Sequence, residues 1–234
     1  MPIYNRECEV CGQPMTANRR TKRTCSDACR QSLHRQNLQA ELETLRKNQK
    51  KQKPKADNAA GNLWFTPNLH LFLARMVLGG IDLDPASCEA ANKNVKAARY
   101  FTEQDDGLVQ DWTARTLWMN PPFTPHSLLA AFARKFLAEW QAGKIGAAII
   151  VVDAAVDAGY CHMLAEQAAA ICTVRGRIAW INGETGIAMG KDGTNGPKRG
   201  QVFYYFGPNV DRFAEAFEIV GNVSRPVRQL AEAA

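Results

Sequence analysis

The run Ile145-Gly146-Ala147-Ala148-Ile149-Ile150-Val151-Val152-Asp153 constrains the fold more than any other stretch of the chain. It is apolar without alternation, rich in β-branched residues and far too short to span a bilayer. A continuous apolar strand has both faces covered, the signature of a parallel sheet between helices. The flanking sequence supplies those helices. Leu69, Leu71, Phe72, Met76 and Leu78 predict one that starts with Thr66 as N-cap and Pro67 as first helical residue and stops at Gly79-Gly80. Leu128, Leu129, Phe132, Phe136 and Leu137 predict a second over residues 127–141. Further helices are expected at 90–98 and 159–170, and strands at 81–85, 115–120, 145–153, 174–182 and 202–206. The last two strands are candidates for an antiparallel hairpin. The alternation predicts an α/β domain over residues 62–234, with a largely parallel sheet covered on both faces.

Within that domain the strand Leu117-Trp118-Met119 runs into Asn120-Pro121-Pro122-Phe123. Each part of this tetrapeptide suits the gripping of an exocyclic amine on a flat ring. Asn120 offers a side-chain carbonyl acceptor. The prolines fix φ and lack N–H donors, so a stiff turn presents carbonyls outward. Phe123 supplies a face for a planar base. Two acceptors, Asn120 Oδ1 and the Pro121 carbonyl, would draw the amine pyramidal and aim its lone pair at an electrophile. The tetrapeptide looks like the catalytic motif of amino-methyltransferases that use S-adenosylmethionine. The bland alternative is a Pro-Pro turn with Phe123 packed inward.

Three more blocks share the same order and spacing: Leu63-Trp64-Phe65-Thr66-Pro67, Ile81-Asp82-Leu83-Asp84-Pro85-Ala86-Ser87 and Tyr100-Phe101-Thr102-Glu103-Gln104-Asp105-Asp106-Gly107-Leu108. Together with the tetrapeptide they resemble the small phage and prophage DNA N6-adenine methyltransferases of the Dam type, over roughly residues 62–206. Arg175-Gly176-Arg177-Ile178, ahead of Trp180, is similar to a late strand of that family. The resemblance implies a Rossmann-like methyltransferase fold that uses S-adenosylmethionine on double-stranded DNA. It implies that Asn120, Pro121, Pro122 and Phe123 are catalytic. It implies that Thr66 and Pro67 hold the methionine part of the cofactor, and that Asp84 and Pro85 lie beside its amino acid. Asp106 matches an acidic position for the ribose or adenine, with Asp105 and Asp111 close by as rivals. A carboxylate is a natural partner for the ammonium and sulfonium charges. Helix capping or a surface position is the alternative for each acid. Ala86-Ser87-Cys88-Glu89 departs from many Rossmann-like methyltransferases, because it has no glycine where a glycine-rich loop is common. The interval from Asp84 to Asn120 is short for two βα units, so one crossover helix is expected to be reduced or lost. No separate target-recognition domain is visible.

The first quarter of the chain has a different character. Cys8-x2-Cys11 and Cys25-x3-Cys29, thirteen residues apart, have metal-ligand spacing. They resemble treble-clef-like zinc ribbons and predict a structural Zn²⁺ held by Cys8, Cys11, Cys25 and Cys29. About thirty residues cannot bury an adequate core alone, so a metal staple would explain their folding. Gly12 suits a tight turn, and Ser26-Asp27 suits a cap for a helix carrying Cys29. Leu38, Leu42 and Leu45 make a narrow apolar stripe ahead of the basic run 47–55. The expected division is a zinc-binding segment at 1–35, a basic helical linker at 36–61 and the methyltransferase domain at 62–234. Residues 1–60 carry 13 Lys and Arg against 6 Asp and Glu, whereas residues 61–234 carry 16 against 17. The excess positive charge therefore sits in the N-terminal quarter and points to a polyanion partner there. A protein partner, self-association or a merely solvated tail are the other readings.

Residues 183–200 hold six glycines with Lys191, Lys198 and Arg199, and read as a loop that closes over DNA or serves as a passive connection. His126 reads as loop structure, and Asp153 as a pocket residue or a helix cap. Cys88, Cys161 and Cys172 read as small buried residues. With no apolar leader and no spanning segment, a soluble protein of the bacterial or phage-infected cytoplasm is expected, in a protective, evasive or regulatory role. The same tetrapeptide also occurs in enzymes acting on RNA adenine, cytosine N4 and protein glutamine. A non-catalytic zinc-bearing DNA-binding protein is the alternative outside enzymes.

Overall fold

The computed structural model describes residues 4–17, 21–49, 64–183, 185–189 and 199–226. The chain divides into two compact units, Met1–Gln52 and Lys53–Ala234.

In the first unit β1 (Tyr4–Glu7) and β2 (Pro14–Ala17) form an antiparallel hairpin, followed by α1 (Asp27–Gln49). Ser26 starts this helix. Its hydroxyl accepts the Cys29 N–H at 3.2 Å, and its carbonyl accepts the Arg30 N–H at 3.0 Å. The apolar core consists of Cys8 and Met15, with Val10 and Cys29 packed against them. So small a core cannot offset the chain entropy of fifty residues. The stripe side chains Leu38, Leu42 and Leu45 lie outside the described residues, as do the basic run beyond residue 49 and the linker at 57–61.

The second unit begins with β3 (Trp64–Phe65), α2 (Asn68–Leu78), β4 (Ile81–Asp84), α3 (Glu89–Val95), β5 (Ala97–Tyr100) and β6 (Ala114–Met119). It continues through α4 (His126–Gln141), β7 (Ile145–Asp153), α5 (Gly159–Gln167), β8 (Ala170–Val174) and β9 (Ile181–Asn182). It ends with β10 (Gln201–Phe206), α6 (Val210–Phe217) and β11 (Gly221–Ser224). Seven strands form one sheet in the order β11-β8-β10-β7-β6-β4-β5. The pairs β5–β4, β4–β6 and β6–β7 are parallel, whereas β10 runs antiparallel to β7 and β8, and β11 antiparallel to β8. Five of the seven strands therefore point one way. A separate two-stranded ribbon joins β3 to β9, pairing Trp64 with Asn182 and Phe65 with Ile181.

Side-chain alternation builds a core on each face of the sheet. Leu117, Met119, Ala148, Ile150, Val152, Tyr204 and Phe206 pack with Leu129, Phe132 and Phe136 of α4 and with Cys161 and Leu164 of α5. The intervening residues serve the other face. Phe203 lies against Trp118, His70 of α2 and Phe217 of α6, and Tyr205 stacks on Phe213 of α6. The α/β expectation of a sheet covered on both sides therefore holds, with an antiparallel far half.

Several local expectations need correction. The strand expected at 174–182 lies at Ala170–Val174. Gly176, at φ +80°, breaks the extended chain just beyond it, and pairing with β10 and β11 draws Ala170, the last residue of the expected helix, into the strand. Arg175-Gly176-Arg177-Ile178 accordingly lies outside the strands. The expected hairpin is real as a pairing, because β10 lies beside β8, but it also inserts between β8 and β7. Helix α2 starts one residue late. Pro67 is its N-cap, its carbonyl accepting the His70 N–H at 3.0 Å, and no side chain caps the turn. The helix expected at 90–98 ends at Val95, and residues 97–100 form an edge strand. The connection from β5 to β6 contains turns and no helix, in line with the short interval between Asp84 and Asn120.

Candidate active site

Strand β4 sends the chain outward to β5, after which it returns across the end of β4 to β6 and then β7. Strand order therefore reverses between β4 and β6. In open α/β sheets a crevice forms at the carboxyl ends of the strands at such a point. Here it is a cavity of about 980 Å³, at the upper end of the usual range of roughly 300–1,000 Å³ for ligand pockets. Thr66, Asp84, Pro85, Asp106, Asn120, Pro121, Pro122 and Phe123 all line it. Among the residues expected to bind the cofactor, only Pro67 is not part of the lining. Thr66 does not cap α2, and is instead a buried residue of the cavity wall.

Asp84 ends β4 with its side chain only 2% exposed. One carboxylate oxygen accepts the Ala86 N–H at 3.2 Å, and among the described residues no cation pairs with it. Burial pushes its pKa up to about 7, against the opposing effects of the Ala86 N–H and the neighbouring Ser87 hydroxyl. Ser87 Oγ is itself buried, and no hydrogen bond of good geometry satisfies it. A buried acid without a counter-charge beside an unsatisfied hydroxyl suits a ligand that brings a positive charge and a polar group. A cationic ammonium group with a polar neighbour, as at the amino-acid end of S-adenosylmethionine, fits these residues.

The three rival acids behave differently. Asp105 turns back on its own loop, accepting from the Thr102 N–H at 2.8 Å and the Thr102 hydroxyl at 2.7 Å. Asp111 accepts from Thr113 and pairs with Lys144 at 3.6 Å. Asp106 alone of the three lines the cavity. Its φ of +50° gives it a left-handed turn, a conformation Asp tolerates better than most residues. Its Oδ1 accepts the Leu108 N–H at 3.1 Å.

Asn120 follows β6 and is half-buried, with Pro121 buried, Pro122 exposed and Phe123 partly buried against the core of the α4 face. The Phe123 ring meets Trp180 at 5.5 Å with the planes at 76°. His126, the first residue of α4, lies edge-on to Tyr160 at 6.3 Å and also lines the cavity. Asp153 ends β7 on the same rim. Burial raises its pKa, opposed by the Gln201 amide and by the charges of Arg199 and His126.

Gln201 and Trp180 carry little signal in the sequence, yet both line the cavity. Gln201 is buried at 2% exposure and makes three contacts. Its Oε1 accepts the Ile178 N–H at 2.9 Å, and its Nε2 donates to the Arg199 carbonyl at 2.8 Å and to Asp153 Oδ1 at 3.4 Å. One clue was legible: a polar residue heads the otherwise buried run Val202-Phe203-Tyr204-Tyr205-Phe206.

In the first unit the Sγ atoms of Cys8, Cys11, Cys25 and Cys29 all lie within 4.8 Å of one another. Cys11 to Cys25 is 3.5 Å and Cys25 to Cys29 is 3.6 Å. With metal–sulfur bonds of about 2.3 Å, the edges of a tetrahedron come to roughly 3.8 Å, so four sulfurs at this spacing suit one Zn²⁺. The Cys8 pKa is lowered to about 6, chiefly by the backbone N–H of Cys11 and also by those of Val10 and Cys25. This favours the thiolate that a metal requires. Gly12, at φ +69°, makes the turn that brings the first pair together, its N–H donating to the Cys8 carbonyl at 2.9 Å.

Residues 53–224 match the family model described as DNA N-6-adenine-methyltransferase (Dam). No curated protein sequence matches the chain. Among the described residues no helix is long and apolar enough to cross a membrane.

Proposed function

The chain belongs to the DNA N-6-adenine-methyltransferase (Dam) family, and we propose that it uses S-adenosylmethionine to methylate N6 of an adenine swung out of duplex DNA. One observation carries this reading: the tetrapeptide Asn120-Pro121-Pro122-Phe123 and the uncompensated acid Asp84 end two neighbouring parallel strands and line one cavity. The base cannot be reached while stacked in the helix, so it must be extruded. Phe123 offers it a stacking face, worth about 1–3 kcal/mol by analogy with single-strand binding. Asn120 Oδ1 and the Pro121 carbonyl accept the two amine hydrogens and hold the nitrogen lone pair in line. Asp84 receives the cationic end of the cofactor, Asp106 its ribose or adenine, and Thr66 its methionine portion. When bound, the cofactor would supply a methyl group activated on its sulfonium; the C–S bond breaks to a neutral thioether as the N–C bond forms, and the amine nitrogen gives up one proton to solvent. Positioning carries most of the rate, and no protein nucleophile is needed. The fold is read as a compact Rossmann-like methyltransferase domain on the same grounds.

Cys8, Cys11, Cys25 and Cys29 are proposed to hold one structural Zn²⁺. Four thiolates on one divalent ion add two negative charges, which leaves the surrounding segment basic. That segment is proposed to bind DNA phosphates sequence-independently. The test of the whole reading is expression of wild type and Asn120→Ala in a host lacking N6-methyladenine, followed by mass spectrometry of the nucleosides and long-read mapping. N6-methyladenine at a defined sequence in wild type alone supports it. Modified RNA adenine, cytosine N4 or protein glutamine instead would replace it.

A further inference from the structure

We propose that Trp180 is the second wall of the base pocket and sets its preference for a purine, an inference that rests on the methyltransferase reading above. Trp180 is 3% exposed, lines the cavity and stands at 76° to Phe123. The two rings therefore form a corner. A base stacked flat on Phe123 would lie nearly perpendicular to the indole, in the same edge-to-face relation that Phe123 has with it. Ring edges are positive and ring faces negative, so this edge-to-face meeting is attractive. With its amine fixed at Asn120, a two-ring base spans further from the clamp than a one-ring base does. Adenine then reaches the indole, and cytosine, with the same amine pattern, stops short of it.

The backbone that carries this wall is fixed by hydrogen bonds, as a specificity surface requires. The Trp180 N–H donates to the Ile178 carbonyl at 3.0 Å, and its own carbonyl accepts the Met189 N–H at 2.7 Å. The Ile178 N–H is in turn held by the buried Gln201 amide. The next residues, Ile181 and Asn182, pair with Phe65 and Trp64, immediately before Thr66 on the cofactor side.

The test compares wild type, Trp180→Phe and Trp180→Leu on unmethylated genomic DNA. Initial rates at saturating cofactor are measured, and N6-methyladenine and N4-methylcytosine are quantified by mass spectrometry. Phenylalanine keeps an aromatic face and is expected within about twofold of wild type. Leucine keeps apolar bulk without that face, so kcat/KM for adenine is expected to fall roughly tenfold. The share of N4-methylcytosine should rise, while cofactor affinity stays unchanged. Trp180→Met, equally non-aromatic, replaces the leucine variant if that one melts early. Leucine or methionine matching phenylalanine in rate and product ratio would overturn the role of Trp180 and leave the enzyme assignment standing. A wild type that makes no N6-methyladenine defeats the enzyme assignment, and this inference with it.

Discussion

Gly107 lies against the carbonyl oxygen of Pro85 so closely that a Cβ on Gly107 would stand 2.1 Å from it. The contact occurs where the loop from β5 to β6 crosses the end of β4. The Gly107 carbonyl also accepts the indole N–H of the buried Trp112 at 2.7 Å, so the loop is pinned on both sides. Asp106, its neighbour, is thereby held at the cavity wall that Asp84 shares. A glycine missing from the turn after Asp84 is thus supplied by a distant loop.

Gly107→Ala should push this loop off the Pro85 turn. A loss of about 1–3 kcal/mol in stability is expected from such overpacking, with a larger proportional loss of cofactor affinity. Thermal melting and calorimetric titration of S-adenosylmethionine read the two effects. A variant that melts and binds like wild type would show that the contact relaxes freely.

The Asp84 carboxyl, lifted by burial from its ordinary 3.8 to about 7, makes the protein pH-sensitive. The folded value exceeds the unfolded one, so the stability this group contributes is complete below about pH 4 and is lost as pH rises through 7. Stability of the ligand-free protein should therefore fall between about pH 4 and 7. Asp84→Asn should remove much of that fall, at most on the order of 4–5 kcal/mol. Cofactor binding should run the other way, strengthening in wild type as Asp84 ionises and remaining weak and flatter in the asparagine variant. Melting curves and titrations across that range check both slopes.

The four-sulfur cluster should hold one zinc per chain, measurable by elemental analysis of protein purified without added metal. Cys25→Ser should lower that content and expose the first unit to proteolysis within residues 1–52. Cofactor binding by residues 53–234 should persist, because those residues form their own compact unit. Zinc-free wild type with a protease-resistant first unit would reject the metal.

A chain lacking residues 1–52 should bind DNA more weakly and with a shallower dependence on salt, since each lost phosphate contact removes about 0.9 from the log–log slope. Its affinity for S-adenosylmethionine should stay within about twofold of the full chain. Fluorescence anisotropy on one duplex at several salt concentrations gives the slope. An unchanged slope would assign the basic unit to a different partner.

The parts of this molecule legible beforehand are those where local pattern and tertiary environment agree. Ile145–Asp153 reads as a central strand because both of its faces are covered, and Asn120 to Phe123 because backbone rigidity and chemistry coincide there. Ala97–Tyr100 was not legible, since only its first residue is buried and pairing with β4 defines it as a strand. Val210–Phe217 carries Phe213 and Phe217 one turn apart, but eight residues give too short a periodicity to stand out in the sequence. Gln201 was beyond reach for another reason. Its importance lies in three partners far apart in the chain or on neighbouring backbone, and no periodicity records such a meeting.

Because the amide of Gln201 ties down Ile178 at one end and Arg199 at the other, the chain between them hangs from two fixed posts. Exchange confined to residues 190–198 leaves Trp180, its Met189 partner and the aromatic corner in place. Diversification of this enzyme is therefore cheapest there, at a place where exchange of a loop demands no second change in the scaffold.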